Sequence, residues 1–116
     1  MHGVFHIAKS TRYDIDIYSD YLEKHYPHQW KVESWIRSHR YPPSKNIHDI
    51  QKLQYHEREW SEKQDHSKWA ICLENGIYWV GDLNRMTTQK RRGGGGFLLK
   101  NRKITEKLNE LISLEL

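Results

Sequence analysis

Asp65-His66-Ser67-Lys68-Trp69, followed downstream by Gly81-Asp82-Leu83-Asn84-Arg85, holds the side chains best suited to a reaction. In an extended segment, residues two apart project from one face of the strand. His66 and Lys68 then set an imidazole beside an ammonium, the least that is needed to attack and hold a phosphate. The imidazole changes charge near neutral pH and can act as nucleophile, and the ammonium is a point charge for phosphate oxygens. Ser67 points to the other face and is a poor nucleophile. Asn75-Gly76 favours the positive φ of a type I′ hairpin turn, which returns Gly81 to Asn84 toward the same strand end. Asn84 could then reach the same phosphate or fix the His66 ring. A His-x-Lys pair alone is more often a solvated strand face, so its surroundings decide.

The elements that must position these residues are legible in outline. Val4 to Ala8 reads as a short strand. Ile15, Tyr18, Leu22 and Tyr26, at spacings of three and four, predict an amphipathic helix over 14–26. Ser10 or Thr11 caps it and Pro27 stops it. Trp30 to Ile36 alternates like a strand, and Tyr41-Pro42-Pro43-Ser44 is a loop because prolines deny the backbone its donors. Ile47 to Tyr55 fits strand or helix, and Glu57 to Gln64 reads as a polar connection. Lys68 to Leu73 and Ile77 to Val80 form the hairpin. Asp82 to Gly96 reads as a long loop ending in four glycines, and loops of that length are usually functional or disordered. Ile104, Leu108, Leu111 and Ile112 mark a C-terminal amphipathic helix. Strands interleaved with two helices predict an α/β or α+β fold.

At 116 residues the chain has room for one domain, residues 1–116. A mean hydropathy of −0.96 marks it as polar for its size, but five Trp and seven Tyr supply the apolar area for a core. The longest apolar run, Trp69 to Leu73, is too short to span a bilayer, so no membrane partner is expected. A net charge of +4, with eight further His, points to a polyanionic partner, most simply nucleic acid. Between Arg85 and Lys103 stand seven basic residues and no acidic one. Of these, Arg85, Lys90, Arg91 and Arg92 are the candidates for contact with a nucleic-acid backbone. By themselves they read equally as a flexible basic loop that touches nothing; only a family resemblance turns them into an expected DNA contact. The bare backbone of Gly93, Gly94 and Gly95 would allow close approach to phosphate. No His, Cys or carboxylate set has convincing metal-ligand spacing, so neither metal nor other cofactor is expected. Cys72 stands alone, which favours a reducing, intracellular compartment.

Taken together, these pieces resemble the C-terminal half of deoxyribonuclease II. Asp65-His66-Ser67-Lys68-Trp69, Gly81-Asp82-Leu83-Asn84-Arg85, Gln89 and Arg92-Gly93-Gly94-Gly95 carry the resemblance. Ala8-Lys9-Ser10, Asp16-Ile17-Tyr18, Trp35 and Pro42-Pro43-Ser44 extend it over nearly the whole chain, in order. The resemblance implies a phospholipase-D-like α/β sandwich, one half of a two-half architecture. It implies metal-independent cleavage of DNA through a phosphohistidine, leaving 3′-phosphate ends. His66 matches one of two family histidines, Lys68 would hold the nonbridging oxygens, and Asn84 would add a hydrogen bond. Of the two family histidines one would attack phosphorus and the other would protonate the leaving oxygen, and the resemblance leaves open which of these His66 is.

The departures from the family are specific. Only one His-x-Lys occurs here. His6 and Lys9 fall on opposite faces of a strand and do not supply another. Leu73 stands where a phospholipase-D pattern expects an acid. Lys45, Ala70, Val80 and Leu98 occupy positions of family cysteines. The expected site is therefore completed by a second His-x-Lys half, either a separate one or a second copy of this chain in a homodimer; the alternative is a non-catalytic DNA-binding remnant or an incomplete fragment.

Overall fold

The computed structural model describes residues 3–36, 42 and 44–115. Its frame is one open, mixed eight-stranded sheet. The strands are β1 (Val4–Lys9), β2 (Trp30–Glu33), β3 (Ile47–Tyr55), β4 (Arg58–Ser61), β5 (Trp69–Cys72), β6 (Ile77–Gly81), β7 (Gly94–Lys100) and β8 (Ile112–Glu115). They run in the order β1-β7-β6-β5-β2-β3-β4, with β8 also paired to β3. The β2–β3 pair is parallel; β5–β6, β6–β7 and β1–β7 are antiparallel.

Each face of the sheet is covered by a helical segment, as alternation along the strands requires. Val32, Ala70, Trp79 and Leu98 stand in one cross-strand row. They pack with Trp30 against Ile17, Tyr18 and Leu22. Ile71 and Tyr78, one residue along, look the other way and pack with Leu108 and Leu111 at the C-terminal helix. That helix, α2 (Arg102–Glu110), starts at Asn101, whose Oδ1 accepts the Ile104 N–H at 3.1 Å. The fold is a mixed α/β domain.

Several expectations change. The helix predicted over 14–26 is shorter: a π-helical turn, Tyr18–Leu22, runs on into α1 (Glu23–His25), and Pro27 lies just beyond. Its cap is Asp16, not Ser10 or Thr11. Asp16 accepts the Ser19 N–H at 2.9 Å, and Asp20 accepts the Asp16 N–H at 2.9 Å. Ile47 to Tyr55 is strand, and the connection after it contains β4, so polar composition hid an edge strand. The Asn75-Gly76 hairpin forms, yet only Gly76 takes a positive φ, 62°, in a four-residue connection closed by Gly76 N–H to Leu73 O. Ile112 leaves the helix and begins β8. Of the Tyr41-to-Ser44 loop, Tyr41 and Pro43 lie outside the described residues.

The largest correction concerns the glycine run. The loop expected over 82–96 ends at Gly93 and contains a 3-10 turn, Thr87–Arg91; Gly94, Gly95 and Gly96 are the first residues of β7. A Cβ on Gly95 would lie 2.0 Å from Ile7 O, and one on Gly96 2.2 Å from Val80 O. The missing side chains let three strands close on one another.

Candidate active site

β5 begins at Trp69, so His66 and Lys68 lie in the extended lead-in to the strand. The last backbone bond of that lead-in, Gly81 N–H to Lys68 O at 3.0 Å, fixes it to the end of β6. The exposed His66 ring lies flat on Trp35, with ring centroids 3.7 Å apart and planes 23° from parallel. Trp35 is itself held at two points. Its Nε1 donates to Lys63 O at 2.9 Å, and its backbone N–H donates to Asn84 Oδ1 at 2.8 Å. Trp35 thus joins His66 to Asn84, a link absent from any spacing rule because residues 35, 66 and 84 come from three segments. Asn84 is buried at the end of the hairpin, as the reading through Asn75-Gly76 expected.

Lys68 Nζ donates to the His66 carbonyl at 2.6 Å. One of three ammonium donors is thereby used, and two remain for an anion. Asp65 braces the same turn. Its two oxygens accept the Ser67 N–H at 2.8 Å and Trp60 Nε1 at 3.0 Å. Burial opposes its charge, but the Ser67 hydroxyl and amide and the Trp60 indole outweigh that and hold its carboxyl below the usual range.

Glu33 was not anticipated. Strand alternation puts it on the same face as Lys31 and Trp35, yet it is 0% exposed, with the Asp65 and Glu62 carboxyls near its own. Neither of its oxygens makes a well-formed hydrogen bond among the described residues. Burial first, then the nearby Asp65 and Glu62 carboxyls, push its carboxyl up to about 9.

The basic segment divides into two parts. Arg85 is 0% exposed and cannot meet a DNA backbone in this arrangement, which corrects the expectation for it. Its Nε and one terminal nitrogen bind the two oxygens of Asp49 at 2.8 and 3.0 Å, the bidentate geometry suited to guanidinium. The other terminal nitrogen lies 3.6 Å from Asp16, and the backbone N–H donates to Ser34 at 3.0 Å. Arg85 is a cross-tie between β3, the helix cap and the end of β2. The glycines are likewise spent on the sheet; Gly95 N–H donates to Asp82 Oδ1 at 2.9 Å, which gives Asp82 a structural task.

Arg91 and Arg92 stand on the surface, while Lys90 is partly buried with its ammonium 3.9 Å from Asp14. The Arg91 side chain is 84% exposed, in loose contact with Asp14 at 3.7 Å, and Arg92 is exposed. Lys9 shapes this turn from below, donating to Lys90 O at 2.7 Å and also to Arg92 O. Gln89 connects the turn to the site, its Oε1 accepting the Asn84 N–H at 3.3 Å. The sequence showed Gln89, Lys9 and Asp16 only as family landmarks; their bonds needed the fold.

The family model for deoxyribonuclease II matches residues 2–114. Deoxyribonuclease-2-beta of Rattus norvegicus is 32% identical over 117 residues, covering 93% of this chain and 33% of that protein. Cell-death-related nuclease 7 of Caenorhabditis elegans is 30% identical, covering 84% and 29%. Plancitoxin-1 of Acanthaster planci is 29% identical, covering 83% and 29%. The chain thus spans about a third of the length of the curated relatives it matches. With a match over nearly every residue, the chain belongs to the deoxyribonuclease II family.

Proposed function

We propose that this chain supplies one half of a metal-independent DNA phosphodiesterase site of phospholipase-D-like type. The observation that carries this reading is the assembly around Trp35. It seats His66, fixes Asn84, and leaves Lys68 two residues away with donors to spare.

In the proposed reaction a neutral His66 nitrogen forms a bond to phosphorus while the bond from phosphorus to the 5′-oxygen breaks. The departing oxygen takes a proton from a second imidazole. Water then attacks the phosphohistidine, giving its proton back to the second imidazole as the P–N bond breaks, and a 3′-phosphate is released with both imidazoles restored. Lys68 neutralises the nonbridging oxygens as charge builds on them. Asn84 keeps its Oδ1 on Trp35, leaving its Nδ2 as the group to serve phosphate. Lys90, Arg91 and Arg92 hold flanking backbone. The second imidazole belongs to another His-x-Lys half, either a second copy of this chain or another segment of a longer one.

The test is plasmid cleavage in EDTA, with end analysis, by wild type, His66→Ala and Lys68→Ala. Metal-independent 3′-phosphate ends lost in both variants support the reading; strict magnesium dependence overturns it. Adding excess His66→Ala chains under conditions of subunit exchange should suppress wild-type activity if two copies share one site. Activity that simply tracks the amount of wild type removes the shared site. DNA binding without cleavage would favour a binding module, a reading prompted by the single His-x-Lys in the chain.

A further inference from the structure

The Trp35–His66 stack joins two segments, and each carries an acid next to the stack. Glu33 lies two residues before Trp35, and Asp65 lies one residue before His66. The Glu33 side chain is within hydrogen-bonding reach of Asp65. Glu33 is buried beside Asp65, and a second negative charge there would be both desolvated and repelled, so one of the two carboxyls is expected to keep a proton. Asp65 already accepts Ser67 N–H and Trp60 Nε1, which favours its charged form. Glu33 is fully buried and neither oxygen makes a well-formed hydrogen bond among the described residues; burial outweighs the nearby Ser34 N–H and favours its neutral form.

We propose that Glu33 is a positioning residue of this site, a carboxylic acid whose O–H donates to Asp65 and so staples the strand end that carries Trp35 to the turn that carries His66 and Lys68. The inference rests on the proposed site for its meaning, but its geometry does not depend on nuclease activity. The titratable groups facing Glu33 are Asp65, on the lead-in to β5, and Glu62, just after β4. Its cross-strand neighbour on β5 is the uncharged Trp69. Both facing groups are acidic and favour retention of the proton, which is expected to leave only as pH passes about 9. Ionised Glu33 would repel Asp65, and the two segments would part.

Nuclear magnetic resonance on labelled protein tests this without substrate. The Glu33 carboxyl carbon and the His66 ring protons are followed from pH 5 to 10 in wild type, Glu33→Gln and Glu33→Leu. In wild type the Glu33 signal should stay in its protonated position through pH 8. The upfield displacement of the His66 ring protons by Trp35 should persist to that pH and be lost above about 9. Glu33→Gln keeps a donor for Asp65 and has no proton to lose, so the displacement should survive to pH 10. Glu33→Leu keeps the bulk but not the donor and should lose the displacement throughout. Equal behaviour of Gln and Leu would reduce Glu33 to packing, and titration of Glu33 near 4.5 would overturn the proposal. If Glu33→Leu does not fold, wild type against Glu33→Gln between pH 8 and 10 still decides. A wild type that passes these tests but cuts no DNA defeats the nuclease reading alone.

Discussion

A buried neutral glutamate makes folding consume a proton, and the consequence can be worked out. Glu33 titrates at its ordinary 4.5 in the unfolded chain and at about 9 in the folded one. Between those values the folded state holds a proton that the unfolded state has released, so stability falls as pH rises. Below 4.5 both states are protonated and the contribution is complete; above about 9 both are ionised and it is gone. One bound proton corresponds to about 1.4 kcal/mol for each pH step of one. From pH 5 to pH 8 wild type should therefore lose up to about 4 kcal/mol relative to Glu33→Gln, which cannot titrate there. Against a domain stability of about 5–15 kcal/mol this is large. With a urea dependence of about 2 kcal/mol per molar, the midpoints should separate by about 2 M across that window. The assay is urea unfolding followed by tryptophan fluorescence at pH 5, 6, 7 and 8. Every other titrating group, the histidines included, is common to both proteins and cancels in the comparison. Parallel curves with a constant offset would mean that Glu33 is ionised in the fold, and the burial argument would be refuted.

Asp49→Asn strands the buried Arg85 charge and should cost about 3–5 kcal/mol in the same unfolding assay; a loss below 1 kcal/mol would mean that Asp16 suffices as its counterion. Gly95→Ala puts a methyl group 2.0 Å from Ile7 O, so β1 should part from β7. Loss of hydrogen-exchange protection at Phe5 to Ala8, with β5 and β6 still protected, is the expected pattern. Replacing Lys90, Arg91 and Arg92 together by Ala should lower the slope of log affinity for duplex DNA against log salt by up to about 3. Fluorescence anisotropy between 50 and 200 mM salt measures it, and an unchanged slope takes this turn out of the interface.

What the sequence revealed, and what it withheld, follows from the range of each signal. Strand pairs announced by local pattern, such as Ile77 to Val80 folding back beside Trp69 to Cys72, were legible because both partners and their turn lie within 13 residues. That His66, Lys68 and Asn84 come to one hairpin end was legible for the same reason. Trp35 lies 31 residues before His66 and reached the reading only as a family landmark. Glu33 looked like a solvent-facing strand position because alternation describes one sheet face, not what later packs upon it. The glycine run misled in the opposite direction. Glycine permits a loop, but it also permits strands to approach more closely than any Cβ allows, and sequence alone does not separate these uses.

The chemistry of the site points outward for its acid. Cleavage by attack from His66 needs a second group that enters protonated and leaves deprotonated near neutral pH. Lys68 is committed to holding charge, and Asn84 has no proton to give at that pH. Asp65 is held ionised by its donors, and Glu33 binds its proton too tightly and too far from solvent to release it to a leaving oxygen. The other described histidines are engaged elsewhere. His6 stacks on Phe97, His25 on Tyr21, and His56 contacts Tyr55 in the β3–β4 turn. His28 contacts Glu74 at 2.8 Å, and His48 contacts Gln29. If His66 is the nucleophile, as proposed, the described residues offer no second acid beside it, and the proposed reaction then requires the leaving-group proton to come from outside them. Val80 and Phe97, paired across β6 and β7 and each nearly half exposed, leave apolar sheet surface on the face that also carries Trp69.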